Sequence, residues 1–320
     1  MNDTIRDKLA VLPEAPGIYR MLDAGGRVIY IGKSKCLKER VNSYFVQNPV
    51  WEKAKKMVPF IKDITYIVTP THLEAMLLEC QMIKEVKPYF NSMMKNDKRY
   101  VYLKVGEDCR KKLVAVADTK SENCFGPFRS RNRAEDVIRT LEYFYPIEKK
   151  RNTYGFEYHM FPEVMAEEIY RKNRKNLLEI LQNPEKMHLM IQEIEKKMQR
   201  AARQEKYELA SRYRDSEQIL KYADRTLNTW RDLLESELIY SVPADKGYRI
   251  FYIKDGLVFG KKSVKNLGKQ VFDQMIDELD SKEIEKWEQL SDKEKMDYRA
   301  IVYRELEESG KDRIYRIHKD

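Results

Sequence analysis

"VIYIGKSKCLKERVNSYF", residues 28–45, decides how the first third of this chain folds. An apolar run, Val28 to Ile31, breaks at Gly32, and a basic segment follows. Within it Lys33, Arg40 and Tyr44 are seven and four residues apart. A helix from about Ser34 to Phe45 would turn all three the same way, because seven plus four residues make about three turns. Two readings compete: an ordinary solvated helix with a core tyrosine, or a surface that holds a phosphate.

Upstream, "GIYRML" (17–22) and "RVIYIG" (27–32) are β-prone runs separated by "DAGG", a good hairpin turn. Downstream, residues 51–62 read as a second helix and "DITYIVT" (63–69) as a third strand. Thr71 and Glu74 have capping-box spacing and open a long helix to about Val86, ended by Pro88. The spacing therefore predicts an α/β (α+β) domain over 1–95, with a small mixed sheet flanked by helices. A small α/β unit over 96–150 follows from "YVYLKVG", "KLVAVAD", "FGPF" and a helix from about Arg133. Residues 151–185 read as a helical linker. Over 186–224, the stripe Met187, Met190, Ile191, Ile194, Met198, Ala201 and a second one (Tyr207, Ala210, Tyr213, Ile219, Leu220) flank the break "ARQEK". That pattern predicts a helical hairpin. Residues 225–320 are expected to form a β-hairpin (248–264) and a charged helical tail.

The formal charge is +9, and residues 1–100 carry +6 of it, with twelve lysines and five arginines against five aspartates and six glutamates. A polyanion partner fits that excess, and the N-terminal domain is where it would bind. The longest apolar runs fall far short of the roughly 18 residues of a membrane span, and "MNDTIRDKLAVLPEAPG" lacks a signal-peptide core. A cytoplasmic protein is expected. Cys36, Cys80, Cys109 and Cys124 are scattered without a CxxC pair, which argues against disulfides, zinc and an iron–sulfur cluster.

Glu79 sits in an apolar stripe with Ala75, Met76, Met82 and Ile83 as helical neighbours. A carboxylate there loses solvation unless a cation or hydrogen bonds compensate. It is either a helix-edge glutamate that reaches solvent or a lysine, or a metal ligand. Magnesium commonly takes one or two protein carboxylates and completes its octahedron with water and phosphate. Tyr19 and Tyr30 lie on opposite arms of the hairpin, as packing residues or as phenols tuned by a cation to handle a proton. Arg40 offers a planar fork for phosphate oxygens.

Gly17-Ile18-Tyr19, then Tyr30-Ile31-Gly32, then Lys33, Arg40, Glu79 and Asn91, resemble the GIY-YIG nuclease family, in its UvrC branch. "LPEAPGIYRMLDAGGRVIYIGKSKCLKERVNSYF" and "EAMLLECQMIKEVKPYFNSMMKNDKRYVYLKV" carry the resemblance, and "FGPF" and "YFYPI" extend it. It implies a DNA endonuclease in which Glu79 binds one Mg²⁺ or Mn²⁺. Arg40 and Lys33 would hold the scissile phosphate, with Lys35 and Lys38 on neighbouring DNA. Tyr19 and Tyr30 are the candidate bases, Tyr44 would support the phosphate site, and Asn91 would brace strand and helix termini. "KKMQRAARQEKYELASRYRDSEQIL" resembles the UVR motif, which implies that Tyr207, Ala210, Arg214 and Asp215 dock on a UvrB-like helicase subunit.

Two departures stand out. UvrC proteins commonly carry a cysteine cluster near "YGFEYHM", and residues 148–165 contain no cysteine. After Val264 only 56 residues follow, too few for an RNase H-like second nuclease. The expectation is one nuclease centre that makes one incision in damaged double-stranded DNA, on the 3′ side of the lesion. A stand-alone nuclease of a mobile element or defence system, or a non-catalytic DNA- or UvrB-binding protein, are the alternatives.

Overall fold

The computed structural model describes residues 3–46, 51–92, 94, 100–106, 113–116, 123–145 and 167–317. Two compact units emerge, one made of residues 1–97 with 233–320, the other of residues 98–232.

The first unit opens with α1 (Asp3–Ala10), β1 (Gly17–Leu22), β2 (Val28–Ser34), α2 (Leu37–Asn42), α3 (Glu52–Met57), β3 (Asp63–Val68) and α4 (His72–Val86). The sheet order is β2-β1-β3, antiparallel throughout rather than mixed. Strand alternation divides the core between its two faces. Tyr19 and Met21 face Leu37, Val41, Met57 and Ile61 from α2, α3 and the turn after it, while α4 packs on β1 and β2. The second unit contains β4 (Val101–Lys104), β5 (Val114–Val116) and β6 (Cys124–Phe128) in the order β5-β4-β6, then α5 (Arg131–Phe144), α6 (Glu167–Gln182), α7 (Pro184–Arg203) and α8 (Tyr207–Glu235). The first sixteen residues of the expected linker, 151–166, and the last two of "YFYPI" lie outside the described residues.

The C-terminal part adds β7 (Glu237–Ala244), β8 (Gly247–Lys254), β9 (Leu257–Val264), α9 (Lys269–Asp277), α10 (Ser281–Gln289), α11 (Asp292–Glu308) and β10 (Ile314–Arg316). The expected hairpin forms β8 and the edge strand β9 of a four-stranded sheet ordered β10-β7-β8-β9. This sheet and α11 close on α4. Thr71 Oγ1 accepts from Glu74 N at 3.2 Å, the half of the expected capping box that forms; the Glu74 carboxylate, only 6% exposed, instead accepts from Thr71 Oγ1 at 3.1 Å and pairs with Arg249 at 2.7 Å. Lys84 pairs with Asp297 at 3.0 Å across α4 and α11.

Candidate active site

The site is built around the free edge of β2. An edge strand leaves every second backbone N–H and C=O without a sheet partner, and here those groups are claimed one after another. Phe90 N donates to Ile29 O at 2.9 Å. Asn91 behaves like a strand residue, its Oδ1 accepting from Ile31 N at 3.0 Å and its Nδ2 donating to Ile31 O at 2.8 Å. Glu79 Oε1 accepts from Lys33 N at 3.1 Å. The helix supports this geometry, since α4 ends with Lys87 in the left-handed conformation and Pro88 follows, returning the chain to β2. Asn91→Ala would leave both groups of Ile31 unpaired in a buried setting, at about 1–3 kcal/mol for each. We expect denaturant unfolding to show a loss of about 3 kcal/mol with an unchanged m-value. Asn91→Asp should recover only part of it, because an ionised carboxylate accepts from Ile31 N but donates nothing to Ile31 O.

Three phenols gather on the α2/α3 face of the hairpin. Tyr19 is fully buried, and its hydroxyl shares a hydrogen bond with that of Tyr44 at 2.7 Å. Tyr30 is half-buried, with ring centroids 6.1 Å from Tyr19 and 6.2 Å from Tyr44. Tyr19 pairs with Gly32 in the register, and its ring lies against that residue so closely that a Cβ there would collide with the phenol. A Cβ at Gly17 would strike the carbonyl of Ile67 and the side chain of Leu37. Both glycines of the two motifs are therefore demanded by close approach.

Burial raises the pKa of Tyr19 well above that of a free phenol, with the neighbouring Tyr44 and Tyr30 adding to the rise. Burial likewise raises Tyr30, reinforced by Tyr44 and by the Glu79 charge. The sequence expectation of a cation-lowered phenol is not met by the protein's own charges, because desolvation outweighs Arg40 at both rings. Burial also lifts the Glu79 carboxyl above its ordinary value, against the pull of Lys33 and Arg40. Lys33 is pushed down by burial, with Glu79 opposing. Burial next to Lys33 and Lys35 takes His72 down to about 4, so its ring is neutral near pH 7.

Lys33, Arg40 and Tyr44 do not share a helix face. Lys33 lies on β2, Arg40 on α2, and Tyr44 just beyond the helix end. The strand runs on past Gly32 because Ile18 and Gly17 of β1 continue to pair with Lys33 and Ser34. Ser34 Oγ then turns the chain, accepting from Cys36 N at 3.0 Å and donating to Cys36 O at 2.6 Å. The helix starts three residues later than expected, with its first amides bonded to Ala15 O and Pro13 O. Arg40 and Tyr44 still meet, by helix and loop rather than by one helical stripe, while Lys33 reaches the site through Glu79, which feels the charges of both Lys33 and Arg40.

The Arg40 guanidinium carbon lies 3.5 Å from the Trp51 ring centroid and 5.3 Å from that of Tyr44. Among the described residues the Arg40 guanidinium makes no hydrogen bond and Glu79 Oε2 accepts none, although Glu79 feels the Arg40 charge. Lys53 Nζ lies 5.1 Å from the Tyr30 ring centroid. Trp51 and Lys53, from the start of α3, and His72, from the start of α4, are residues that sequence reasoning missed. A tryptophan in a basic segment with few apolar neighbours was the available signal. Lys35 is exposed, and Lys38 is exposed and paired with Glu14 at 2.7 Å.

In the second unit, α7 ends at Arg203, and Glu205, left-handed at φ 59°, leads into α8. Lys206 N closes this turn on Ala201 O. Met187, Ile191, Ile194, Leu220 and Ala223 are buried in one cluster, but Tyr207 is 70% exposed and outside it. The first nine residues of α8 thus present Tyr207, half-buried Ala210 and the exposed pair Arg214–Asp215 at 3.0 Å. Among the described residues no group of three or more His, Cys, Asp or Glu could hold a metal ion. No described helix is long and apolar enough to cross a membrane.

Residues 15–92 match the family described as the UvrC-like GIY-YIG domain, and residues 189–223 match the UvrB/uvrC motif. UvrABC system protein C of Desulfitobacterium hafniense (strain Y51) is 30% identical over 273 residues, 81% of this chain and 44% of that protein. The protein of the same name from Streptococcus pneumoniae serotype 19F (strain G54) is 32% identical over 273 residues, 80% of this chain and 43% of that protein. The chain thus spans less than half the length of these relatives. A solved structure of the GIY-YIG N-terminal endonuclease domain of UvrC from Thermotoga maritima, bound to its catalytic magnesium, is 37% identical. It covers 28% of this chain and 99% of that one, with a TM-score of 0.27.

Proposed function

We propose that this chain, a UvrC relative with a UvrC-like GIY-YIG domain at residues 15–92 and a UvrB/uvrC motif at 189–223, is a metal-dependent DNA endonuclease of nucleotide excision repair. It cuts one phosphodiester bond, on the 3′ side of a lesion, when a UvrB-like subunit presents the DNA. The observation that carries this reading is the juxtaposition at the edge of β2. Glu79 there offers an uncommitted carboxylate oxygen, Arg40 an uncommitted guanidinium edge, and Tyr30 a half-buried phenol. The choice of lesion side rests on family analogy.

A single Mg²⁺ or Mn²⁺ suits this donor set. Glu79 is desolvated with one oxygen held by the Lys33 amide and the other open, and magnesium needs few protein carboxylates when phosphate and water complete its shell. When bound, that cation supplies Lewis-acid polarisation of a phosphoryl oxygen and offsets its charge. The chain's own residues do the rest. Arg40 presents its N–H fork to the phosphate, and Lys33 adds a positive charge from β2. Tyr30, the less buried of the two motif phenols, accepts a hydrogen bond from the attacking water and orients it; with its pKa raised by burial, it takes that water's proton only after giving up its own to solvent. Tyr19, sealed and bonded to Tyr44, holds Tyr30 and Gly32 in place. On α8, Tyr207 and Arg214 form the face that docks on UvrB.

The test is a strand-labelled duplex with one bulky lesion, incubated with the purified chain and Mg²⁺ or Mn²⁺, with and without UvrB. A single nick that depends on UvrB is expected. Tyr207→Ala and Arg214→Glu should each weaken UvrB capture about tenfold, in line with about 1.4 kcal/mol for an exposed anchor. Nicking without UvrB, together with no UvrB binding, would make this a stand-alone nuclease. DNA binding without a nick under any cation would remove the catalytic reading.

A further inference from the structure

We propose that Trp51 is the positioning residue for Arg40, its indole holding one face of the guanidinium so that the N–H fork is preset toward the scissile phosphate. This rests on the nuclease reading above and adds a residue to it.

Trp51 has no evident role in the helix it precedes. It occupies the N-cap position of α3, where Ser, Thr, Asp or Asn would satisfy a free amide, and it makes no side-chain cap bond. It is 45% exposed, whereas the other two tryptophans, Trp230 and Trp287, are 7% and 4% exposed. What it does touch is the site. The guanidinium carbon is 3.5 Å from its ring centroid, well inside the roughly 6 Å reach of a cation–π contact. Tyr44 meets the same indole edge-on, at 5.9 Å and 89°, and Tyr44 is itself tied to buried Tyr19. A continuous aromatic path thus runs from the sealed centre of the hairpin to the arginine that faces solvent.

Stacking suits this task because it engages only the face of the guanidinium. The five donors lie in the plane and stay available to a phosphate. Without the stack, Arg40 has no acceptor among the described residues to fix it, and a long side chain would be ordered only on substrate binding. Trp51 carries that ordering in advance. A lysine at position 40 could not be held in this way.

The experiment compares Trp51→Ala, Trp51→Leu and Trp51→Phe in single-turnover nicking of the UvrB-loaded duplex, with DNA affinity measured alongside by anisotropy. Trp51→Ala and Trp51→Leu should each lower the rate constant about tenfold, with affinity changed less than twofold. Trp51→Phe should recover at least half of the parental rate, because a ring face is what matters. Equal rates for the Leu and Phe variants, or a loss confined to affinity, would overturn the proposal. A second readout needs no activity. Arg40→Ala should alter the emission of Trp51, taken as the difference between each protein and its Trp51→Phe counterpart. No change would show that the stack does not form. Glu79→Gln run beside the series separates the two failures. Parental nicking by Glu79→Gln sinks the nuclease reading, whereas parental nicking by Trp51→Leu alongside an inactive Glu79→Gln sinks only this one.

Discussion

Glu79→Gln should abolish nicking, with a loss of at least about a thousandfold in the single-turnover rate at saturating Mg²⁺ or Mn²⁺. Each factor of ten corresponds to about 1.4 kcal/mol of barrier, and removing Lewis-acid stabilisation from a phosphoryl transition state is worth several kcal/mol. The loss should be this large because the donor set has no reserve. Glu79 is not joined by other carboxylates or imidazoles in a cluster of three or more among the described residues. The amide of the variant keeps an acceptor oxygen, so it can still take the Lys33 N–H and the edge of β2 should stay intact. A fall of less than tenfold, or one that higher Mn²⁺ restores, would mean that Glu79 is not the carboxylate that matters.

The same substitution should stabilise the cation-free protein. Burial holds the folded-state pKa of Glu79 above its ordinary value, so ionisation opposes the fold. The stability tied to the protonated carboxyl is complete below the ordinary carboxylate pKa and is lost as pH rises through the raised one. At neutral pH without divalent cations, Glu79→Gln should therefore melt above the parent, and the gap should close as pH falls below the ordinary value. Adding Mg²⁺ should raise the melting temperature of the parent and leave that of the variant unchanged. A gain in stability that accompanies loss of activity is the mark of a group kept for function. A carboxylate that only reached solvent or a lysine would show neither response.

How far the sequence carried can be judged residue by residue. The hairpin was legible because its turn chemistry and β-prone arms are local. The start of α4 was legible because Thr71 accepts from the Glu74 amide three residues on. The end of β2 was not, since nothing local tells Lys33 to stay extended; the pairing with Ile18 decides it, and that partner is supplied by the fold. Glu74 shows the same limit more sharply. That its amide would be capped by Thr71 could be read from the sequence, but its ion pair spans 175 residues to Arg249, a separation at which no periodicity helps. Trp51 lay outside the family pattern and outside any amphipathic stripe, so only its distance to Arg40 identified it. Residues that act through neighbours in the chain were visible, and those that act through neighbours in space were visible only where a known motif already grouped them.

Gly32→Ala carries the second large effect, and it tests why that motif requires a glycine. A Cβ on residue 32 would meet the hydroxyl, Cζ and Cε1 of Tyr19, which is wholly buried, bonded to Tyr44 and flanked by Tyr30. The phenol has nowhere to retreat, so either its ring leaves the cluster or β2 parts from β1. Overpacking of this kind costs about 1–3 kcal/mol, and the rigid surroundings place this case at about 3 kcal/mol in denaturant unfolding. Nicking should fall at least about a hundredfold, because Tyr30 and Lys33 flank the displaced residue and about 1 Å of misplacement costs that much. A double-mutant cycle isolates the cause. Tyr19→Ala alone should destabilise strongly by leaving a cavity, yet added to Gly32→Ala it should cost less than the sum, since the new methyl group then enters space that the ring vacated. Strict additivity would place the defect in the backbone of β2 instead. Parental stability and rate in Gly32→Ala would show that the ring does not lie over the glycine in solution.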